Sequence, residues 1–310
     1  MTLDFQLGEP KEHRGIVVAP LFPRHDPAAR YVTLDEALPR GLRITETSEA
    51  GSVPELFVEN PLDENVLLYD GEELVGAKQN RILNVSVLVG AAAKLPIPVS
   101  CVEQGRWRRL SPAFEAAPFV SNSHLRRVKA QAQAAQPLAR GVAQGQVWDE
   151  VRAQQTRMGV SSPTSASRDT FEAHGARLKK LEDCFPAAPG QCGAVLGLGD
   201  ELCLDAVSRP DAFALLWPKL RAGYLLDALE RLDARATPIA RLSAFVESVA
   251  EAPVTRGPSA GLGQDVRLRG AGVIGSGLEL GSETIQLSAF TSEDGGAPAF
   301  GRIARPSRRR

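Results

Sequence analysis

The pair Asp70-Gly71, set between the apolar run Val66–Tyr69 and a long stretch of mixed polar and apolar residues, limits what this chain can fold into. A type I′ turn needs positive φ at both central positions, and Asp-Gly supplies them at low cost, so the pair predicts a hairpin. The return strand would carry Leu74 and Val75 and then Ile82–Val89, and Ile97–Glu103 would add a third strand after the small-residue loop Gly90–Lys94. The expected local structure is an antiparallel meander. A strand of about 16 residues is longer than usual, so a break or bulge is expected near Gly76–Asn80. Pro96 and Pro98 cannot donate to a ladder, which puts the start of the third strand at an edge or bulge.

Either side of this stretch the text divides clearly. The first third reads as strands, around Gly15–Leu21, Gly41–Thr47 and Leu56–Glu59, with a helical turn at Leu34–Leu38. From Asn122 to about Cys184 alanine, glutamine and arginine dominate, and helices are expected at HLRRVKAQAQAAQ up to Pro137, at Val147–Met158 and at Arg168–Cys184. Their polarity suggests packing on the outside of the sheet or a partly mobile insert. A hairpin follows across Gly199-Asp200. A helix capped by Ser208 with Pro210 in its first turn comes next, kinked or divided at Pro218, and another spans about Pro238–Ala250. Gln264–Leu268, Gly272–Leu280 and Glu283–Phe290 return to β alternation.

The fold class expected is α+β, an antiparallel sheet or sandwich built from N- and C-terminal strands with a largely helical middle. Residues 1–300 are read as one domain, β-rich over 1–112, helical over 113–190 and α+β over 191–300. Two domains divided between 112 and 190 is the competing arrangement. The basic tail 301–310, ARPSRRR at its end, is expected to be disordered.

Composition removes several function classes. A formal net charge of -1 gives no global basic field, so a nucleic-acid partner is not expected. No leader pattern or apolar run of membrane-spanning length is present, so no membrane association and a cytoplasmic location are expected. The four cysteines show no CxxC spacing and the four histidines no ligand pattern, so no metal site is assigned. Nothing specifies a cofactor. The glycine-rich runs GAVLGLGDE and GVIGSGLELG read as hairpin turns rather than phosphate loops.

The candidate site is the meander, Asp70–Trp107. Within a few residues it places a carboxylate, an ammonium, amides and a guanidinium, enough to hold a polar or anionic ligand. Arg81 suits a phosphate or carboxylate, Lys78 a point charge, and Asn80 and Asn84 the edges of a base or ribose. Gln79 and Arg106 complete the ligand-binding set. Glu72 and Glu103 are the candidate acid/base residues. Mutual pairing of these groups, with the amides satisfying backbone at a bulge, is the competing structural explanation. Cys101 lies beside a carboxylate rather than a base and reads as an inert buried thiol.

DGEELVGAKQNRILNVS with IPVSCVEQGRW, followed much later by AFALLWPKLRAGYLLDAL, resembles the prokaryotic ADP-ribosylglycohydrolase- and rhodanese-phosphatase-superfamily-associated domain family, over roughly Phe5–Phe290. The matched positions are Gly71, Glu72, Gly76, Lys78, Gln79, Asn80, Arg81, Asn84, Cys101, Glu103, Arg106 and Trp107. The resemblance implies a connection with ADP-ribose and phosphate-ester metabolism. The expected function is therefore binding, with or without processing, of a nucleotide-derived or ADP-ribose-like ligand at the meander. The alternative is a non-catalytic recognition or scaffold module whose partner is an enzyme.

Overall fold

The computed structural model describes residues 3–49, 51–135, 144–270 and 272–292. The basic tail and Pro137 lie outside the described residues. The fold is mixed α+β with large antiparallel sheets.

The largest sheet draws on both ends of the chain. Its strands run in the order Phe5–Leu7, Ile16–Pro23, Gly193–Leu198, Glu201–Val207, Glu283–Thr291, Val273–Leu280, Gln264–Gly270 and Val254–Pro258, and Lys11–His13 pairs with Ile16–Pro23. The Gly199-Asp200 turn forms the hairpin expected of it, with Leu198 opposite Glu201. Alternation decides what each strand offers to each face. Leu202, Leu204 and Ala206 meet Leu242, Phe245 and Val249 of the helix Ile239–Glu251. Cys203, Asp205 and Val207 point the other way, toward the helix Pro210–Ala228 with its Phe213, Trp217 and Tyr224.

The meander belongs to a second, six-stranded sheet. Its order is Phe114–Val120, Glu72–Gly76, Arg81–Leu83, Lys94–Cys101, Glu55–Glu59 and Arg43–Glu46. A small third sheet holds Val87–Val89, Val66–Leu68 and Val32–Thr33, the last two parallel.

Here the structure corrects the position of the hairpin. Tyr69 O does accept from Glu72 N at 3.1 Å, so a turn exists at Asp70-Gly71. Positive φ is found at Gly71 (84°), however, and not at Asp70, so the turn is not type I′ and the flanking strands diverge into different sheets. The reversal occurs instead at Gly76–Asn80, where a bulge was expected, and brings Leu74 opposite Arg81 and Glu73 opposite Ile82. Gly76 (φ 125°) and Ala77 (φ 37°) supply the left-handed backbone. Ile82–Val89 likewise is not continuous, because Arg81–Leu83 and Val87–Val89 lie in separate sheets. Pro96 and Pro98 sit in the half of their strand whose ladder is with Glu55–Glu59, while Val99–Cys101 pair with Arg81–Leu83, so on their other side the only ladder-like bond among the described residues is Asn84 N to Pro98 O at 3.0 Å.

Three helices occupy the middle, Ser123–Ala135, Gln144–Arg157 and Ser167–Glu182. The first is not an outer, solvated helix. Arg126, Lys129 and Gln133 are all buried, Arg126 and Lys129 reaching strands at Asp205 and Leu83 O and Gln133 reaching Asn84 O just past a strand. Two details of the following helix also differ from expectation. Its N-cap is Arg209, because the Ser208 hydroxyl is engaged with Tyr31 at 2.9 Å. The helix continues through Pro218, which lies on its exposed face, where water can reach the carbonyl four residues back.

Candidate functional site

The Gly76–Asn80 turn gathers most of the sequence-predicted residues, and Arg106 holds the turn in shape. Its Nη1 donates to Ala77 O at 2.8 Å, and its Nη2 donates to Gly76 O at 3.2 Å and Asn80 Oδ1 at 3.0 Å. A β-carbon at Gly76 would stand 2.4 Å from Ser111 Oγ, so this corner has no room for a side chain.

Glu103 pairs with Arg106 at 2.6 Å and accepts from Asn80 N at 3.1 Å and from the Thr164 hydroxyl at 3.0 Å. Burial works to raise its pKa, but the hydrogen bonds from Arg106, Asn80 and Thr164 outweigh burial and hold it below the ordinary value. Thr164 comes from the loop before the third helix, which binds the meander through Gly105 N to Thr164 O at 2.8 Å and Ser167 N to Val102 O at 2.9 Å. Gln79 donates to Glu103 O at 3.0 Å. Its Oε1 accepts from Arg81 Nη1 at 2.7 Å and from the Cys101 thiol at 3.0 Å.

Arg81 is fully buried, at 0% exposure, directly opposite Cys101 in the ladder. Among the described residues its Nε and Nη2 find no hydrogen-bond partner, although Cys101 and Glu46 lie close enough to favour its charge. Burial lowers its pKa against those pulls. The guanidinium carbon sits 5.5 Å from the centre of the Trp107 ring, and Lys78 Nζ sits 5.4 Å from it. Lys78 itself is half-buried and donates to Glu49 O. Trp107 is 49% exposed, so this corner opens to solvent.

Two predicted residues stand apart. Glu72 turns away from Glu103 and pairs with Lys219 at 2.6 Å, and Lys219 also holds Asp35 at 3.0 Å. Burial raises the Glu72 pKa, and Lys219 opposes the shift. Asn84 accepts from the Ser100 hydroxyl at 2.7 Å, and its carbonyl accepts from Gln133 at 2.9 Å. The residue that takes the place of Glu72 beside Asn80 is Glu73. Its Oε1 accepts from Asn80 Nδ2 at 3.4 Å, while Oε2 has no partner among the described residues. Strand alternation does contain this signal, since adjacent Glu72 and Glu73 must face opposite sides and only one can join Glu103. Thr164 carried no local signal.

Elsewhere, a small cleft is lined by Ser123, His124, Arg127, Glu201 and Asp227. Burial pushes the Asp227 pKa up to about 6, against hydrogen bonds from Asn122 and the His124 backbone. Among the described residues no group of three or more His, Cys, Asp and Glu is placed to hold a metal ion. No helix among them is long and apolar enough to cross a membrane.

Fold and site together define an α+β protein with a polar, largely buried meander that supplies strands to its second and third sheets. The chain belongs to the family described as the ARG and Rhodanese-Phosphatase-superfamily-associated Protein domain, whose model matches residues 4–290. That description associates the domain with ARG and with the rhodanese-phosphatase superfamily. No curated protein and no solved structure gives a significant match.

Proposed function

We propose that the meander binds a nucleotide-derived, ADP-ribose-like ligand, with its anionic part at Arg81. The observation that carries this reading is the Arg81 guanidinium, buried, fixed by Gln79 and set beside the Cys101 thiol, with Nε and Nη2 unpartnered by hydrogen-bond geometry among the described residues. A buried cation with open donors is costly to keep unless something fills them, and phosphate or carboxylate oxygens match its fork. Trp107 and Lys78 stand at the open side, an aromatic face and a second cation. Asn80, Gln79 and Arg106 shape the turn that presents Arg81, so they act as positioning groups. Glu103 is the anion of the site, and Glu72, locked to Lys219, takes no direct part. The family description, which links the chain to ARG and rhodanese-phosphatase proteins, agrees with a ligand of this class.

A thermal-shift screen against ADP-ribose, NAD, mono- and dinucleotides, short RNA and divalent metals tests the reading. Ligand at 100 times its dissociation constant stabilises by about 2.7 kcal/mol, a readily measured shift. A shift confined to ribose-phosphate ligands is the expected outcome. Absence of any shift would turn the reading toward the second one, a non-catalytic module docking on an enzyme. The observation favouring that alternative is the exposed run Trp107-Arg108-Arg109-Leu110, whose Trp and Arg are residue types enriched at interface hot spots.

A further inference from the structure

We propose that the exposed run Trp107-Arg108-Arg109-Leu110 docks an acidic segment of a partner protein, with its carboxylates at the two arginines and an apolar side chain against Trp107 and Leu110. This inference rests on the docking reading above and adds to it the chemistry of the partner; it makes no use of the open nitrogens of Arg81. Among the described residues six large hydrophobic side chains are exposed, Val53, Trp107, Leu110, Leu215, Ile239 and Leu262. Trp107 and Leu110 fall within this one short run, at 49% and 58% exposure. The loop that carries Val53 reaches the same ring, since a β-carbon at Gly51 would stand 3.3 Å from Trp107 Cζ2. Exposed apolar residues scattered singly mean little, whereas apolar residues gathered beside polar ones mark interaction surfaces.

The arginines define the kind of partner. Elsewhere on the surface, exposed arginines hold carboxylates of the chain itself, as in Arg14–Asp233, Arg152–Asp149 and Arg168–Glu172. Among the described residues the Arg108 side chain has no ion pair or hydrogen bond, and that of Arg109 reaches only the carbonyls of Ser111 at 3.3 Å and Pro112 at 3.5 Å. Lys78 Nζ, 5.4 Å from the centre of the Trp107 ring, adds a third cation. Glu103, the carboxylate nearest in sequence, is neutralised by Arg106 at 2.6 Å. Carboxylates match the guanidinium fork, so Asp or Glu flanking an apolar residue complements the run in charge and in apolar surface together. A polynucleotide would use the arginines but leave aliphatic Leu110 and Val53 uncovered, and a chain of net charge -1 offers it no wider basic field.

The backbone that presents these side chains is already fixed. Leu110 N donates to Ala77 O at 2.8 Å, Arg106 Nη1 donates to Arg108 O at 3.0 Å, and Ser111 Oγ donates to Ala113 O at 2.6 Å. None of these bonds uses the side chains of Trp107, Arg108, Arg109 or Leu110. A loop ordered in advance loses little further freedom on docking, so more of the contact energy appears as affinity.

The experiment selects a random-sequence peptide library, displayed on phage, against the wild-type protein. The selected peptides are then titrated into wild type, the double variant Arg108→Glu/Arg109→Glu, and Leu110→Ser. Both variants change exposed side chains only and should melt as wild type does. The selected peptides should carry Asp or Glu around an apolar residue, bind more weakly as ionic strength rises, and lose binding to the double variant. Leu110→Ser should weaken them about tenfold. Peptides without carboxylates that keep their affinity for the double variant but lose it in Leu110→Ser overturn the acidic partner and leave the docking reading standing. Peptides insensitive to both variants, or no selected peptide at all, overturn both. A single-stranded oligonucleotide that binds wild type and not the double variant, with no acidic peptide bound, gives the run to nucleic acid and overturns the proposal.

Discussion

Asp205 and Arg81 are both buried, both charged and both at the centre of a polar network, yet their networks differ in completeness. Around Asp205 the oxygens accept from Arg126 at 2.5 and 2.8 Å, from Tyr69 at 2.6 Å, from Tyr224 at 2.7 Å and from Ser288 at 2.7 Å. Burial works to raise its pKa, but the Arg126 charge together with the hydrogen bonds from Arg126, Tyr69 and Ser288 outweighs burial and lowers it. Asp70 and Lys129 extend this network at 2.6 Å, and Arg126 Nε lies 3.9 Å from Asp70. The charges of Asp205, Asp70, Arg126 and Lys129 cancel. In it Arg126 Nε has no hydrogen-bond partner among the described residues, but both Asp205 oxygens and both other Arg126 nitrogens are satisfied, and it joins Tyr69 and the meander's Asp70 to the largest sheet. Around Arg81 two nitrogens, and on Glu73 one oxygen, have no hydrogen-bond partner among the described residues. The contrast separates a structural tie from a candidate site by hydrogen-bond satisfaction rather than by polarity.

The largest effect expected is at the tie. Asp205→Ala leaves Arg126 buried without a counter-charge and should cost about 3–5 kcal/mol in denaturant unfolding. Because the tie crosses from meander to sheet, we propose that the two fold as one unit, and a single transition, lost together by all probes, is the expected behaviour. Tyr224→Phe removes one hydrogen bond to a charged group and should cost about 1.5–3 kcal/mol by the same assay. Arg81→Met removes an incompletely satisfied buried charge, so its cost should stay within about 1 kcal/mol. A loss as large as that of Asp205→Ala would erase the distinction. At the small end, Lys94→Ala breaks a solvent-exposed pair with Glu59 and should change stability by less than about 1 kcal/mol.

Much of the fold was legible because strands and turns are local. The Gly199-Asp200 hairpin, the three middle helices and the C-terminal strands follow from alternation, helical composition and glycine turns. What was not legible depended on partners far along the chain. Arg126 and Lys129 look like solvated helix residues, and only the arrival of Asp205 and Asp70 makes their burial tolerable. The turn at Asp70-Gly71 was visible, but Asp70 keeps negative φ, its backbone N–H donates to Ser86 Oγ at 2.8 Å, and its carboxylate is drawn to Lys129. At the site, Gln79, Asn80, Arg81, Glu103 and Arg106 converge, whereas Glu72 and Asn84 do not. The exchange of Glu72 for Glu73 turns on a one-residue register, which alternation constrains only once the true hairpin is known.

The most direct measurement of the central claim is calorimetric titration of ADP-ribose into wild-type protein and Arg81→Met, with both confirmed to melt alike. Saturable binding to the wild type that disappears in Arg81→Met is the predicted result. Equal binding by the two proteins, or none by either, would contradict the assignment of Arg81 as the anion-holding group.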